Sequence, residues 1–306
     1  MSAGGLTREL RGLLADAGLS GSFLIRELAT GEEIGIDPDA ELPIASLVKV
    51  PLAVAVLGRI QAGQLDGSLM IDVPPAPAPA PAPAAGSAGL SRFRHPARIA
   101  VDDLLYLSTA MTDNTAADIL FGLVPPAEVS QALHDAGIAG ISIRHAMREL
   151  SETPVQHFGP DETHLAHSLA IGSRTAGGGH PVPQLDISRA SSGSARALTD
   201  LLQALWLPSR IPAPVAAQVR ALMAQNTVRH RLSPDFASDA STWSSKTGTL
   251  LNLRHEIGVA EHDDGGIFAV AALTESAVPA ATQPAAEAVM ARVARALHDH
   301  LRGALP

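Results

Sequence analysis

The chain has 306 residues, a net charge of −9 and no cysteine, and 46% of its residues are hydrophobic. The negative charge argues against nucleic acids and anionic membranes as partners, because both attract basic surfaces. The lack of cysteine excludes disulfides, thiolate metal sites and cysteine nucleophiles, and the absence of an apolar run of roughly 18 residues predicts no membrane span.

The first sixty residues predict a helix, a hairpin and a second helix. Leucines in "LTRELRGLLADAGL" repeat at helical spacing. The segments "GSFLIREL" and "IGID" around the turn "ATGEE" are typical of a β-hairpin, and residues 46–62 form an apolar helical run. The N-terminus lacks a cationic start followed by an apolar block, so no signal peptide is predicted. We therefore expect a cytoplasmic protein, or an exported one if a leader precedes this sequence.

Residues 74–89 alternate proline and alanine. Such a stretch favours an extended, polyproline-like conformation because proline has no hydrogen-bond donor and a fixed φ. The segments on both sides are apolar and helical in pattern, so we interpret residues 74–89 as a loop within one domain.

The remaining pattern predicts a helical centre followed by strands. Helical periodicity returns between residues 99 and 136 and in "SARALTDLLQALW" and "APVAAQVRALMAQN", whereas residues 138–190 show no clear pattern. Three strands are predicted in "WSSKTGTL", "RHEIGVAEHD" and "GIFAVAALTES", and a helix closes the chain. This order predicts an α/β fold (an α+β sandwich) with one domain over residues 1–306. Its sheet lobe covers about 1–48 and 230–306, and its helical lobe covers about 49–229.

Lysine is rare in this chain. Only Lys49 and Lys246 accompany the arginines among its 22 basic residues, and lysine, unlike arginine, loses its proton when desolvated. Ser46 lies three residues before Lys49 in "IASLVKV", which places hydroxyl and amine on one helix face. A neutral lysine amine can take the proton of a serine nucleophile. An N-cap serine beside a lysine that extends to solvent is the alternative.

Two further patterns accompany this pair. Lys246 begins "KTGTL", where Gly248 would let a substrate lie close to the strand and the amide of Thr249 could join that of Ser46 around an oxyanion. Between the lysines stands "MTDNTAADIL", in which Thr112 could relay a proton and Asn114 could hold a substrate amide. Helix capping and a polar strand end are the alternatives for these two patterns.

Together these motifs resemble those of the serine β-lactamases and penicillin-recognising hydrolases, closest to class A, in which S-x-x-K, S-D-N and K-T-G recur in this order. The resemblance covers most of the chain, from "ELATGEEIGIDPDAELPIASLVKV" to "IGVAEHDDGGIFAVAAL". It implies an antiparallel five-stranded sheet flanked by helices, a helical lobe, and a site between the two.

The resemblance also implies roles for individual residues. Ser46 would be the acylated nucleophile and Lys49 its base, and Thr112 stands where the family usually has serine. The substrate-binding residues implied are Asn114, Lys246, Thr247, Gly248, Thr249 and Arg254. Either Arg229 or Arg231 could support Lys246 electrostatically.

One departure from the family concerns hydrolysis of the acyl-enzyme. Class A enzymes use the glutamate of an E-x-x-x-N motif, whereas Glu149, 35 residues after Asn114, is followed four residues later by Thr153. Glu149, or Glu152, is our candidate for activating water, and a surface glutamate is the alternative.

The functional prediction is therefore a β-lactamase-like serine hydrolase that uses no cofactor or metal, acts on a small molecule and is a monomer. The alternatives are an esterase, amidase or transacylase, a D,D-peptidase-like enzyme, and a β-lactam-binding protein that deacylates poorly. A peptidase that acts on cell wall would need export.

Overall fold

A five-stranded antiparallel sheet joins the two ends of the chain, with its strands in the order Glu33–Ile36, Leu19–Glu27, Ile267–Ser276, Leu253–His262 and Ser241–Leu250. The computed structural model describes residues 2–75, 89–152, 163–175, 177–278 and 282–304, so residues 76–88 of the predicted proline–alanine loop lie outside it. In chain order the strands are β1 (Leu19–Glu27), β2 (Glu33–Ile36), β3 (Glu41–Pro43), β4 (Met70–Val73), β5 (Ala97–Ala100), β6 (Ile141–Ser142), β7 (Ser192–Ser194), β8 (Ser241–Leu250), β9 (Leu253–His262) and β10 (Ile267–Ser276).

Helices cover both faces of this sheet. The helices of the described chain are α1 (Ala3–Asp16), α2 (Lys49–Gln61), α3 (Val101–Thr109), α4 (Asn114–Leu123), α5 (Pro126–Asp135), α6 (Met147–Ser151), α7 (Thr163–Ile171), α8 (Ala195–Trp206), α9 (Ala213–Ala224), α10 (Ser233–Phe236) and α11 (Pro284–Ala304). Short 3₁₀ turns span Ala45–Val48, Gly89–Arg92 and Pro183–Leu185.

The central strands are apolar on both faces because each face is covered. Alternate side chains of β1 pack in different cores. Phe23 and Ile25 lie in the core formed with α1 and α11, and Leu24 lies in the larger core formed with α2 and α8. Successive side chains of a strand point to opposite faces. A strand buried on both sides therefore appears in sequence as a continuous apolar run, such as "IFAVAAL" in β10.

Most predicted elements are present. The fold class is confirmed, β1 and β2 form the predicted hairpin, and Asp263–Gly266 connect β9 to β10. The division into two lobes stays a prediction. No helix in the described part of the chain is both long and apolar enough to cross a bilayer.

One predicted helix begins later than expected. Residues 46–62 do not form a single α-helix, because a 3₁₀ turn occupies Ala45–Val48 and α2 starts at Lys49. Ala45 has a φ of +46°, which right-handed helical backbone does not allow. Ser46 therefore does not start an α-helix; it lies in a separate turn just before one.

Candidate active site

Ser46 lies in the 3₁₀ turn that follows β3. A 3₁₀ helix has three residues per turn, so side chains at i and i+3 are eclipsed. This geometry places Ser46 and Lys49 on the same side of the chain. The side chain of Ser46 is nearly buried, and every residue of α2 from Lys49 to Leu57 is buried in the core.

The amine of Lys49 is fully buried and well defined by its contacts. It donates to the carbonyl oxygen of Thr112 and to Oδ1 of Asn114, both at 2.7 Å. Burial lowers the pKa of Lys49 to about 7, against the opposing effect of the Asp113 and Asp118 carboxylates. A substantial fraction of this lysine is therefore neutral near pH 7, and a neutral amine that donates two hydrogens keeps one lone pair.

Both lysines meet at Thr112. Its carbonyl accepts from Lys49, and its hydroxyl accepts from the amine of Lys246 at 2.8 Å. Thr112 has a φ of +62°, a left-handed conformation that is rare for a β-branched residue. Such backbone persists only where surrounding contacts hold it, and here two buried amines do so.

Lys246 is as buried as Lys49. Its amine also donates to the carbonyl of Thr247 at 2.9 Å. Burial lowers the pKa of Lys246 well below its usual value, and the nearby charges of Lys49 and Arg231 lower it further, whereas Glu256 opposes the shift. Two amines close enough to influence each other's titration cannot both easily carry a proton.

Asp113, between Thr112 and Asn114, caps α4. Its Oδ1 accepts from the amide of Thr115 at 2.8 Å and from that of Ala116 at 3.2 Å. Its Oδ2 accepts from the amide of Leu90 at 2.7 Å. Asp113 is thus the residue of "TDN" that caps the helix, whereas Thr112 and Asn114 accept hydrogen bonds from the lysine amines.

Strand β8 forms the edge of the sheet and lies against the Ser46 turn. A Cβ on Gly248 would stand 3.0 Å from the carbonyl oxygen of Ile44 and 3.1 Å from Cγ of Leu47. The glycine of "KTG" therefore permits the close approach of strand and turn. The following residue, Thr249, lies one step along the same strand.

Behind β8 lies a group of buried charged residues, most of which sequence reasoning missed. Arg231 donates to the carbonyls of Gly248 and His255, each at 3.0 Å, and to the hydroxyl of Thr249 at 2.7 Å. Glu287 of α11 faces Arg231 at 3.1 Å. A signal was present in "RHEIG", which places three ionisable residues within the otherwise apolar start of β9, but most of their partners lie far away in sequence.

Arg254 is held near the turn between β8 and β9. Its Nη1 donates to the carbonyls of Leu251 and Leu253, each at 2.7 Å, and its Nε lies 3.4 Å from Glu287. Burial is the main reason that its pKa is lowered. Its predicted role in binding a substrate carboxylate stays a prediction.

Glu149 lies in α6 and is exposed. Its carboxylate is 3.4 Å from the amide of Ala146 at the start of its own helix, and its backbone carbonyl accepts from Gln184 at 3.1 Å. Thr153 lies outside the described residues. The role of Glu149 in activating water stays a prediction.

Asp118 is an acidic residue of this region that sequence reasoning missed. It follows Asn114 by one turn of α4, and its Oδ1 accepts from the amide of Arg148 at 3.0 Å. Burial is the main cause of its raised pKa, and the nearby charge of Lys49 opposes it. Asp118 thus joins the helix that carries Asn114 to the helix that carries Glu149.

Two cavities of about 370 and 330 Å³ lie away from the lysines, one beside α2, α5 and α9 and the other beside the β9–β10 turn. In the described part of the chain, no group of three histidine, aspartate or glutamate side chains could hold a metal ion.

Comparison with known sequences and structures gives matches whose descriptions all name β-lactamases. Residues 5–301 match the sequence profile of a beta-lactamase enzyme family. A "Beta-lactamase regulatory protein BlaB" from Streptomyces cacaoi is 60% identical over 308 residues, covering 97% of each chain. A β-lactamase structure from Chitinophaga pinensis superposes with a TM-score of 0.75 at 20% identity, covering 97% of this chain and 99% of the other. A single-residue mutant of a class A β-lactamase from the last common ancestor of Gram-negative bacteria gives 0.73 at 19% identity, covering 98% and 100%.

Proposed function

The chain belongs to the beta-lactamase enzyme family, and from that premise we propose that Ser46 is acylated by β-lactams and that the chain hydrolyses them. The observation that supports this most directly is the buried amine of Lys49, whose pKa is about 7 and whose contacts with Thr112 and Asn114 use two donors. Its remaining lone pair is available for the hydroxyl proton of Ser46, one 3₁₀ turn away.

In the proposed acylation, Ser46 Oγ attacks the β-lactam carbonyl carbon while Lys49 takes the hydroxyl proton. The backbone amides of Ser46 and Thr249 stabilise the negative charge that develops on the carbonyl oxygen. When the ring C–N bond breaks, the nitrogen receives a proton from the hydroxyl of Thr112, and the protonated amine of Lys246 returns one to Thr112, so that the proton lost by Lys246 balances the one gained by Lys49. That hydroxyl accepts a hydrogen bond from Lys246, so its own hydrogen is free to be donated.

Other residues would bind the substrate or release the product. Lys246 and Thr247 would bind a carboxylate of the substrate, and Asn114 would bind the amide of the substrate side chain. Arg254 would also bind the carboxylate if the arginine side chain turns away from Glu287. Release requires water to attack the ester carbonyl carbon while a carboxylate takes a proton from the water. The bond to Ser46 Oγ then breaks, and Lys49 returns its proton to that oxygen. Glu149 is our candidate for the carboxylate base.

A second candidate function is regulatory. The relative that is 60% identical is named a β-lactamase regulatory protein, and a sensor of β-lactams needs acylation but not rapid release. The exposed position of Glu149 supports slow release, because its carboxylate faces the amide of Ala146 at the start of its own helix. In this candidate the long-lived acyl-enzyme is the signalling form.

One experiment distinguishes these functions. The protein is incubated with a chromogenic cephalosporin while colour and intact mass are followed, with Ser46→Ala as the test variant. Ser22→Ala, at a fully buried serine, is the control. Turnover that needs Ser46 supports hydrolysis, and a stable adduct on Ser46 supports the regulatory candidate. The absence of both turnover and adduct would refute β-lactam acylation. An esterase, transacylase or D,D-peptidase-like activity would then remain as the alternatives.

The role of Lys49 has its own test. Lys49→Arg keeps a cation but cannot accept a proton, so we expect acylation to fall by about 100-fold or more. Wild-type acylation should rise with pH through about 7, where Lys49 loses its proton. A Lys49→Arg protein that is labelled at the wild-type rate would show that this amine is not the base.

A further inference from the structure

We propose that His255 is a positioning residue for Ser46: its imidazole N–H holds the carbonyl of Pro43 and so sets the spacing between the backbone amides of Ser46 and Thr249. This inference rests on the proposed acylation of Ser46 and deepens it, because the two amides are the donors that would stabilise the oxyanion.

The turn that carries Ser46 needs external support. Ala45, the residue before the nucleophile, has a φ of +46°, and residues with a side chain keep such a conformation only when neighbouring contacts fix it. On one side, the amide of Ile44 donates to the carbonyl of Ser191 at 3.0 Å. On the other side, the carbonyl of Pro43 accepts from Nε2 of His255 at 2.9 Å.

The tautomer of His255 is set by its second contact. The amide of Thr274 donates to Nδ1 at 3.2 Å, and a backbone amide can only donate, so Nδ1 carries no proton and Nε2 does. Burial lowers the pKa of His255 to about 4. The ring therefore stays neutral at physiological pH and donates to Pro43 without titrating.

The backbone of His255 is fixed to the strand that carries Thr249. His255 pairs with Gly248 across β8 and β9, and Arg231 donates to the carbonyls of both residues at 3.0 Å. The same guanidinium donates to the hydroxyl of Thr249 at 2.7 Å. His255 thus contacts the turn that carries Ser46 through its ring and the strand that carries Thr249 through its backbone.

Two substitutions separate the hydrogen bond from the bulk of the ring. His255→Met fills similar space without a donor, whereas the side-chain nitrogen of His255→Gln can still donate to Pro43. His180→Met is the matched control. His180 is also buried, with Nε2 at 3.0 Å from the carbonyl of Ala170 and Nδ1 accepting from the amide of Val182 at 3.0 Å.

The assay is labelling by a fluorescent penicillin, in which the limiting rate of acyl-enzyme formation and the half-saturating concentration are measured separately, and circular dichroism measures the fraction of folded protein. We expect His255→Met to lower the limiting rate about 10- to 100-fold, since small displacements of catalytic donors have effects of this size. The fraction of folded protein should stay near that of wild type. His255→Gln should recover to within about threefold of wild type, and His180→Met should keep the wild-type rate.

A His255→Met protein that is labelled at the wild-type rate would overturn the proposal, as would a His255→Gln protein no faster than His255→Met. Hydrogen–deuterium exchange of the amides of residues 44–48 gives a readout that needs no reaction with a β-lactam. If wild type is not labelled at all, the proposed function fails, and this exchange alone decides the role of His255. Faster exchange in His255→Met, restored by His255→Gln, supports the inference, and unchanged exchange refutes it.

Discussion

Replacing Lys49 with methionine should change how the stability of the protein depends on pH. The pKa of Lys49 is lowered from 10.5 to about 7 in the folded chain, and each pH unit of such a difference is worth about 1.4 kcal/mol. Folding at pH 7 therefore requires deprotonation or burial of a charge, at a cost on the order of 5 kcal/mol. Between pH 7 and 10.5 the unfolded chain binds more protons at this site, so the free energy of unfolding of wild type rises with pH.

Lys49→Met has no proton to lose, but it leaves the carbonyl of Thr112 and Oδ1 of Asn114 without their donor. The carbonyl of Thr112, a half-buried residue, then costs about 1–3 kcal/mol at any pH, whereas Asn114 is exposed and its Oδ1 can bond to water. Near pH 10.5 wild type should therefore be the more stable protein. That advantage should shrink by on the order of 5 kcal/mol as the pH falls to about 7, so the two proteins become similar or the methionine variant becomes the more stable.

Urea-induced unfolding of both proteins at half-unit steps from about pH 6.5 to 10.5 measures this difference, because groups that do not interact with Lys49 cancel. Lys246, whose pKa is lowered by the charge of Lys49, changes the difference in the same direction. A difference that stays constant within about 1 kcal/mol would refute the reasoning. It would mean that Lys49 keeps its proton in the folded protein and is not available as a base.

Two other features of the structure give further predictions. Gly89→Ala should lower Tm more than Gly63→Ala. Both glycines have φ of +69°, but the added methyl would overlap Oδ2 of Asp113 at Gly89 and would lie in open space at Gly63. Equal losses measured by calorimetry would mean that the contact with Asp113 does not matter. His262 and His298 face each other through Nε2 at 3.0 Å, and burial lowers both pKa values from 6.5. Stability should therefore fall as the pH drops below about 6.5, and His262→Gln should weaken that fall in a pH series of Tm; an unchanged slope would contradict it.

Much of the fold follows from local sequence patterns. The strands "WSSKTGTL" and "GIFAVAALTES" and the helix "NTAADILFGLV" were predictable because side-chain periods of about 2 and 3.6 residues are local properties. The segment 138–190 was not: of its described elements, β6 has two residues and α6 has five, which is too short to show a period. Strand β7, which follows it directly, has only three residues and pairs with β3 and β6, both of which lie much earlier in the chain.

The candidate site divides in the same way. The sequence by itself determined which residues are candidates for the site. Lys49 and Lys246 stand in motifs that resemble those of a known family, and Gly248 completes the second motif. Only the tertiary structure decided that both amines contact Thr112, across 63 and 134 residues of chain. It also placed Ser46 in a 3₁₀ turn and His255 behind it. The physical reason is that burial and long-range hydrogen bonds set the pKa and position of each group, and both depend on which distant segments pack together.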